Sequence, residues 1–239
     1  MLFDYRYVFK TLFLYFFMET SDFIYKIIYK ASSGPFGSLY NLKTYGKENL
    51  PNGRAVLVAN HTSYLDPFFM IAGIDSKKPM HFCTLDFYKH SKSRVGKIQA
   101  SMANFLLSLT GQIVFDGGSM NRASFKKVKQ VLEDERYLGV FAEGKRSYDG
   151  KLDEFKDGAA YLALKTQSPL VPIYLKGAYE IWKREDYFPR LYGQVEMRIG
   201  KPIVSNVANS NGNTNGNLRK EVIDLSDFLR EEILKLSQI

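Results

Sequence analysis

The chain has almost no cysteine, almost no histidine and no long apolar run, and each shortage removes a class of protein. Its one cysteine, Cys83, cannot close an internal disulfide, so nothing asks for an oxidising compartment. Cys83 reads as a small core residue rather than a nucleophile. Histidine occurs only at His61, His81 and His90, none of them in an H-E-x-x-H pair, and no Cys-based or His-rich metal spacing exists. No G-x-S-x-G elbow is present, so a serine nucleophile of the hydrolase type is not expected. No internal repeat is visible. The charge-free apolar piece Thr11–Met18 is 8 residues, far short of the roughly 20 that span a bilayer. Asp4 interrupts the start and no small-residue cleavage site comes after it, which argues against a signal peptide.

What is present is length, positive charge and aromatic side chains. At 239 residues the chain can bury one sizeable core. A formal net charge of +8 favours anionic partners without choosing among lipid headgroups, coenzyme phosphates, an acidic carrier protein or nucleic acid. Many of the 18 Phe and 16 Tyr gather in the first 45 residues, at helical spacing. Two helical stretches are expected there, broken near Glu19–Asp22. In the second, Phe23, Ile24, Ile27, Ile28 and Ala31 form a stripe with Lys26 and Lys30 opposite. The end of the first, LFLYFFM, is apolar almost all round, more than one domain face would cover. Both stretches are therefore expected to rest in a membrane surface rather than to cross it.

From residue 40 short apolar runs alternate with helical segments, the pattern of an α/β domain with a central, mostly parallel or mixed sheet flanked by helices. Strands are expected at Leu42–Tyr45, Ala55–Ala59, Met80–Thr84, Gln112–Phe115, Gly139–Phe141, Leu170–Leu175 and Val195–Ile199. Helices are expected at Phe68–Ile74, Lys97–Thr110, Arg122–Asp134 and Gly158–Thr166. The chain divides into a membrane-association motif (1–38), the α/β domain (39–204), an Asn/Gly-rich loop (205–217) and a C-terminal amphipathic helix (218–239).

The most informative stretch is Asn60-His-Thr-Ser-Tyr-Leu-Asp66. It puts a histidine at a strand end and a carboxylate five residues on, as needed for a base whose tautomer and charged form are fixed by a neighbour. Asp66 also suits the start of the next helix. The spacing alone is weak. Downstream come Phe141-Ala-Glu-Gly-Lys-Arg-Ser147, then Phe155-Lys-Asp-Gly158 and Val171-Pro-Ile173. In this order and at these separations the chain resembles the glycerolipid acyltransferases, most closely the 1-acyl-glycerol-3-phosphate acyltransferases, over roughly residues 40–205. Asn60–Pro67 matches that family's N-H-x4-D-P block throughout. FAEGKRS matches F-P-E-G-T-R-S with Ala142 for Pro and Lys145 for Thr. Gly111–Asp116 matches the start of G-x-I-x-x-D-R, but Gly117 stands where the family has arginine.

The resemblance implies acyl transfer from acyl-CoA or acyl-carrier protein to the hydroxyl of lysophosphatidate, giving phosphatidate, with no cofactor. His61 is then the general base and Asp66 its partner. Glu143, Gly144 and Arg146 are implied to bind the acceptor, joined by Lys145 and, as further anion ligands, Arg122 and Lys156. Lys126, Lys127 and Lys129 read as a solvated helix face. Oxyanion donors are expected among the amides near Glu143–Gly144. The resemblance also implies an interfacial, membrane-associated enzyme on the cytoplasmic face, with membrane lipids as partners and nucleic acid not expected. Gly117 keeps another lysolipid or glycerol 3-phosphate open as acceptor. A non-catalytic basic protein binding membrane or nucleic acid is the reading from another class; it gives no reason for the two motifs to occur together.

Overall fold

The strand β2, Ala55–Ala59, contains no polar side chain and is buried along its whole length, as a strand covered on both faces must be. It is the hub of a seven-stranded sheet in the order β1-β7-β6-β2-β5-β3-β4. The other strands are β1 Lys43–Tyr45, β3 His81–Leu85, β4 Ile113–Phe115, β5 Tyr137–Phe141, β6 Leu170–Lys176 and β7 Glu196–Ile199. In this computed structural model residues 36–76, 79–85, 112–115, 121–183, 188–204 and 215–239 are described, with Phe23, Tyr25–Ile27, Tyr29, Lys30, Gly34 and Asp186. β6, β2, β5, β3 and β4 run parallel, while β7 pairs antiparallel with β6 and parallel with β1. The carboxyl ends of β2, β5 and β6 therefore share one edge of the sheet, where open α/β sheets build their sites.

Alternation along β2 divides the core. Ala55, Leu57 and Ala59 face α1 (Asp66–Ile74) together with Val171, Ile173 and Leu175 of β6. Val56 and Val58 face the opposite layer, made by α2 (Arg122–Glu133), α3 (Gly158–Thr166) and α5 (Asn215–Gln238). Phe69, Met70, Leu132, Leu138 and Ile173 are all but completely buried, each worth ~1.5–3 kcal/mol. α2 begins where Asn121 accepts a hydrogen bond from the Ser124 amide at 2.8 Å. Its Lys126, Lys127 and Lys129 are exposed and Val128, Val131 and Leu132 buried, the division expected of a solvated basic face.

The expected strands all form, with ends moved by two residues or fewer. α1 starts at Asp66, two residues ahead of expectation, because Pro67 is accommodated in a first helical turn. α5 starts at Asn215, so the last three residues assigned to the Asn/Gly-rich loop are helical; Asn is a residue type suited to helix starts. The expected helix Lys97–Thr110, residues 205–214, the first N-terminal stretch and Gly117 lie outside the described residues.

Near the N-terminus Phe23, Tyr25, Lys26, Ile27, Tyr29 and Lys30 are helical. Tyr25 is buried against the domain and its hydroxyl donates to the Ser76 carbonyl at 3.5 Å. One turn on, the Tyr29 hydroxyl donates to the Asp75 carboxylate. Phe23 and Ile27 stay exposed. Tyrosines thus dock this helix at the end of α1 while apolar side chains of the expected stripe point away. No helix among the described residues is long and apolar enough to cross a membrane.

Candidate active site

β2 ends at Ala59, and Asn60 anchors the loop beyond it. Its side-chain NH2 donates to the Leu175 carbonyl at 3.0 Å and its side-chain carbonyl accepts the Leu175 amide at 2.7 Å. This clasp continues the β2–β6 ladder by one step and ties the start of the loop to the sheet. The loop then closes on Asp66. One oxygen, Oδ2, accepts the Thr62 amide at 2.7 Å and the Ser63 amide at 2.8 Å, and faces His61 Nδ1 at 2.8 Å. A carboxylate only accepts, so the shared proton sits on Nδ1 and Nε2 is left with a lone pair. Asp66 is 0 % exposed, while the His61 side chain is 20 % exposed. The carboxylate is enclosed and the imidazole reaches solvent. Oδ1 of Asp66 is buried without a hydrogen-bond partner among the described residues.

β5, beside β2, supplies the floor. Its last residue, Phe141, pairs with Ala59 across the ladder and its ring stacks under His61 at 4.1 Å between centroids and 15°. Phe82 continues the stack at 5.9 Å. Glu143, just past β5, is buried and accepts the His61 backbone N–H on Oε1 at 3.2 Å. Burial pushes its carboxyl from the ordinary 4.5 up to about 7, the His61 amide opposing the shift. The Ser147 amide donates to the His61 carbonyl at 2.8 Å. The two loops are therefore joined on both sides of His61 Cα.

Gly144 has φ of +66°, a left-handed turn that L side chains rarely adopt. A Cβ there would also come within 3.0 Å of the Lys156 side chain, which lies across it. The Lys156 amide donates to the Ala142 carbonyl at 2.8 Å, which draws this lysine into the group. Lys145 forms an ion pair with Asp153 at 2.8 Å, and that hydrogen bond holds the Asp153 carboxyl below its ordinary range. The Arg146 guanidinium lies over the Tyr64 ring at 3.1 Å. Tyr64 in turn packs on Trp182 at 4.8 Å.

The structure thus gathers His61, Asp66, Glu143, Gly144, Lys145, Arg146 and Lys156 at one edge of the sheet. Arg122 is exposed at the start of α2, the helix that follows β4, and β4 is the strand at the end of the β2-β5-β3-β4 order. The Gly144 amide, expected among the oxyanion donors, is engaged with the Phe141 carbonyl at 3.1 Å. Sequence reasoning missed Asn60 as a clasp, Phe141 as a floor and Tyr64 as a stacking partner. Asn60 and Phe141 open their two motifs, which was the available signal; nothing local marks Tyr64.

A buried carboxylate behind a partly exposed imidazole, with three cationic side chains and a left-handed glycine nearby, is an arrangement chemically suited to accepting a proton beside an anion. Residues 41–176 match the family profile described as Acyltransferase. The chain belongs to that family. It is 30% identical over 192 residues to a protein named as a chloroplastic 1-acyl-sn-glycerol-3-phosphate acyltransferase of Brassica napus, covering 78% of this chain and 51% of that one. To the chloroplastic enzyme of that name from Arabidopsis thaliana it is 30% identical, covering 76% and 48%. The corresponding figures for a Saccharomyces cerevisiae protein so named are 30%, 68% and 52%. The chain spans about half the length of the curated relatives it matches. Its fold is shared with the crystal structure of the 1-acyl-sn-glycerophosphate (LPA) acyltransferase PlsC from Thermotoga maritima. The TM-score is 0.61 at 22% identity, over 88% of this chain and 80% of that one.

Proposed function

We propose that the chain transfers a fatty acyl group from acyl-CoA or acyl-carrier protein to the free hydroxyl of 1-acyl-glycerol-3-phosphate, giving phosphatidate for phospholipid synthesis. The names of its relatives support the acceptor. The observation that carries the chemistry is the 2.8 Å contact between His61 Nδ1 and an Asp66 carboxylate that is itself shut off from solvent. His61 Nε2 takes the proton of the acceptor hydroxyl as its oxygen attacks the thioester carbonyl. Asp66 stabilises the imidazolium so formed. The tetrahedral intermediate then breaks its C–S bond, and the departing sulfur receives the proton from His61. One ester and one thiol replace one alcohol and one thioester, and no covalent enzyme intermediate is required. Arg146, through its planar fork, with Lys145 and Lys156 nearby, receives the acceptor's phosphate.

A second reading keeps this chemistry but changes the acceptor to another lysolipid or to glycerol 3-phosphate. It is favoured by Gly117 in the position of the family arginine. Purified protein in detergent, offered acyl-CoA or acyl-carrier protein with each acceptor, separates the two. Phosphatidate made by the wild type and not by His61→Ala supports the first. Transfer confined to another acceptor supports the second, and no transfer by folded protein refutes both.

We further propose that the enzyme works at a membrane surface on its cytoplasmic side, without spanning it. Exposed Phe23 and Ile27 on the docked N-terminal helix suit insertion at that interface. So do Phe188, Leu191 and Tyr192, which are 83%, 75% and 79% exposed. They lie in the connection between antiparallel β6 and β7, at the His61 edge of the sheet. Sedimentation with anionic liposomes tests this; binding unchanged when all five become serine would refute it.

A further inference from the structure

We propose that Tyr64 is a positioning residue: its ring holds the Arg146 guanidinium so that the N–H edge meets the acceptor's phosphate at a set distance from His61. The inference rests on the reading of Arg146 as the phosphate ligand, and it adds a residue from the first motif to that site. The guanidinium carbon lies 3.1 Å from the Tyr64 ring centroid, well inside the range of a cation–π contact. A guanidinium stacked by its face keeps its donors in the plane, pointing outward, which is the geometry a phosphate accepts in pairs. An ammonium on the same ring has no such edge to offer.

Tyr64 is suited to this because of where its backbone is held. It lies in the same five-residue span as the base, between His61 and Asp66, and the amides of Thr62 and Ser63 are fixed by Asp66 Oδ2. Arg146 comes from the loop after β5, and the Ser147 amide beside it donates to the His61 carbonyl at 2.8 Å. The backbone contact sets how far apart the two loops sit. The ring contact sets where the end of a long, flexible side chain goes, which the backbone cannot do. Trp182 buttresses the ring at 4.8 Å and 46°, and its own indole N–H donates to the Asp186 carbonyl at 2.9 Å. The Tyr64 ring is 46% exposed and Arg146 is half-buried with its Nη1 enclosed, so the stack sits at the boundary between the site and solvent.

Trp182 is the only tryptophan in the chain, so its emission reports binding at this point without turnover. Wild type, Y64L, Y64F, Y64W, R146K and Y64L/R146K would be titrated with glycerol 3-phosphate by tryptophan fluorescence, Y64W being read by kinetics alone. KM and kcat for lysophosphatidate would be measured beside them, and thermal unfolding would confirm that each is folded. Y64L is expected to raise the dissociation constant and the acceptor KM by roughly 3- to 30-fold, with a smaller change in kcat. Y64F and Y64W restore most of the loss, since a ring and not a hydroxyl is needed. Adding Y64L to R146K costs little more than R146K alone. Y64F as damaging as Y64L, or Y64L and R146K multiplying in full, overturns the platform. If R146K binds glycerol 3-phosphate as wild type does, the phosphate reading falls, and the platform with it. If R146K is impaired and Y64L is not, the platform alone falls.

Discussion

Replacing Asp66 by asparagine separates what that carboxyl does for the fold from what it does for the reaction. Three donors converge on Oδ2: the Thr62 amide at 2.7 Å, the Ser63 amide at 2.8 Å and His61 Nδ1 at 2.8 Å. An asparagine that turns its carbonyl to that position keeps all three bonds. Its NH2 then takes the place of Oδ1, which is already without a partner among the described residues. The change in stability is therefore expected to stay within ~1 kcal/mol, one orphaned polar atom replacing another. The rate is a different matter, because the amide carries no charge. A full charge about 4 Å from the imidazolium contributes ~4 kcal/mol at an effective dielectric constant of 20. Losing it should slow the chemical step by roughly 10²–10³-fold. Asp66→Ala removes the acceptor altogether and should cost about 2–4 kcal/mol of stability as well, at ~1 kcal/mol or more for each stranded donor. The assay is single-turnover acyl transfer to lysophosphatidate beside thermal unfolding of the same samples. Asp66→Asn within about threefold of the wild-type rate, with His61→Ala inactive, would refute the role given to the carboxylate charge. Asp66→Asn that unfolds as readily as Asp66→Ala would refute the hydrogen-bond argument.

Glu143 gives a pH dependence of stability. Its folded-state pKa is raised from 4.5 to about 7, so its favourable contribution is complete below 4.5 and is lost as pH rises through 7. Denaturant titrations of wild type and Glu143→Gln should show the wild type falling by about 1–3 kcal/mol relative to the variant across that window; parallel profiles would contradict it. Asn60→Ala strands the amide and carbonyl of Leu175 inside the sheet and should cost about 2–4 kcal/mol, read as a lower urea midpoint. Gly144→Ala forces a left-handed alanine against Lys156; about 1–2 kcal/mol is expected from the backbone alone, together with weaker binding of glycerol 3-phosphate.

Much of this arrangement is legible along the chain because it depends on local pattern. AVLVA at 55–59 reads as a strand buried on both faces, and it is one. The His61–Asp66 contact arises from a five-residue spacing across a strand end, and so does the start of α1. β5 begins two residues before its expected start because Tyr137 and Leu138 come directly after the charged turn at Glu135 and Arg136, which masks the run. α4 (Ala178–Ile181) is one turn long and shows no period to detect. The stacking of Arg146 on Tyr64 joins loops 82 residues apart. Such a pairing arises from sheet order, and sheet order is not written in any window of sequence.

The order of the sheet also has a consequence for synthesis. β2 is complete by Ala59, yet both of its neighbours come from much later in the chain, β5 at Tyr137–Phe141 and β6 at Leu170–Lys176. At ~5–20 residues per second a ribosome needs on the order of 10 s to make the chain between β2 and β6. For most of that interval an uncharged strand with two hydrogen-bonding edges lacks both of its neighbours, and until β6 is made it lacks one of them. The Asn60–Leu175 clasp joins the last of these strands to the first. The nascent chain is therefore expected to need shielding at AVLVA until residue 176 has emerged, and to fold as a unit rather than in halves. Fragments ending before β6 should aggregate through that segment.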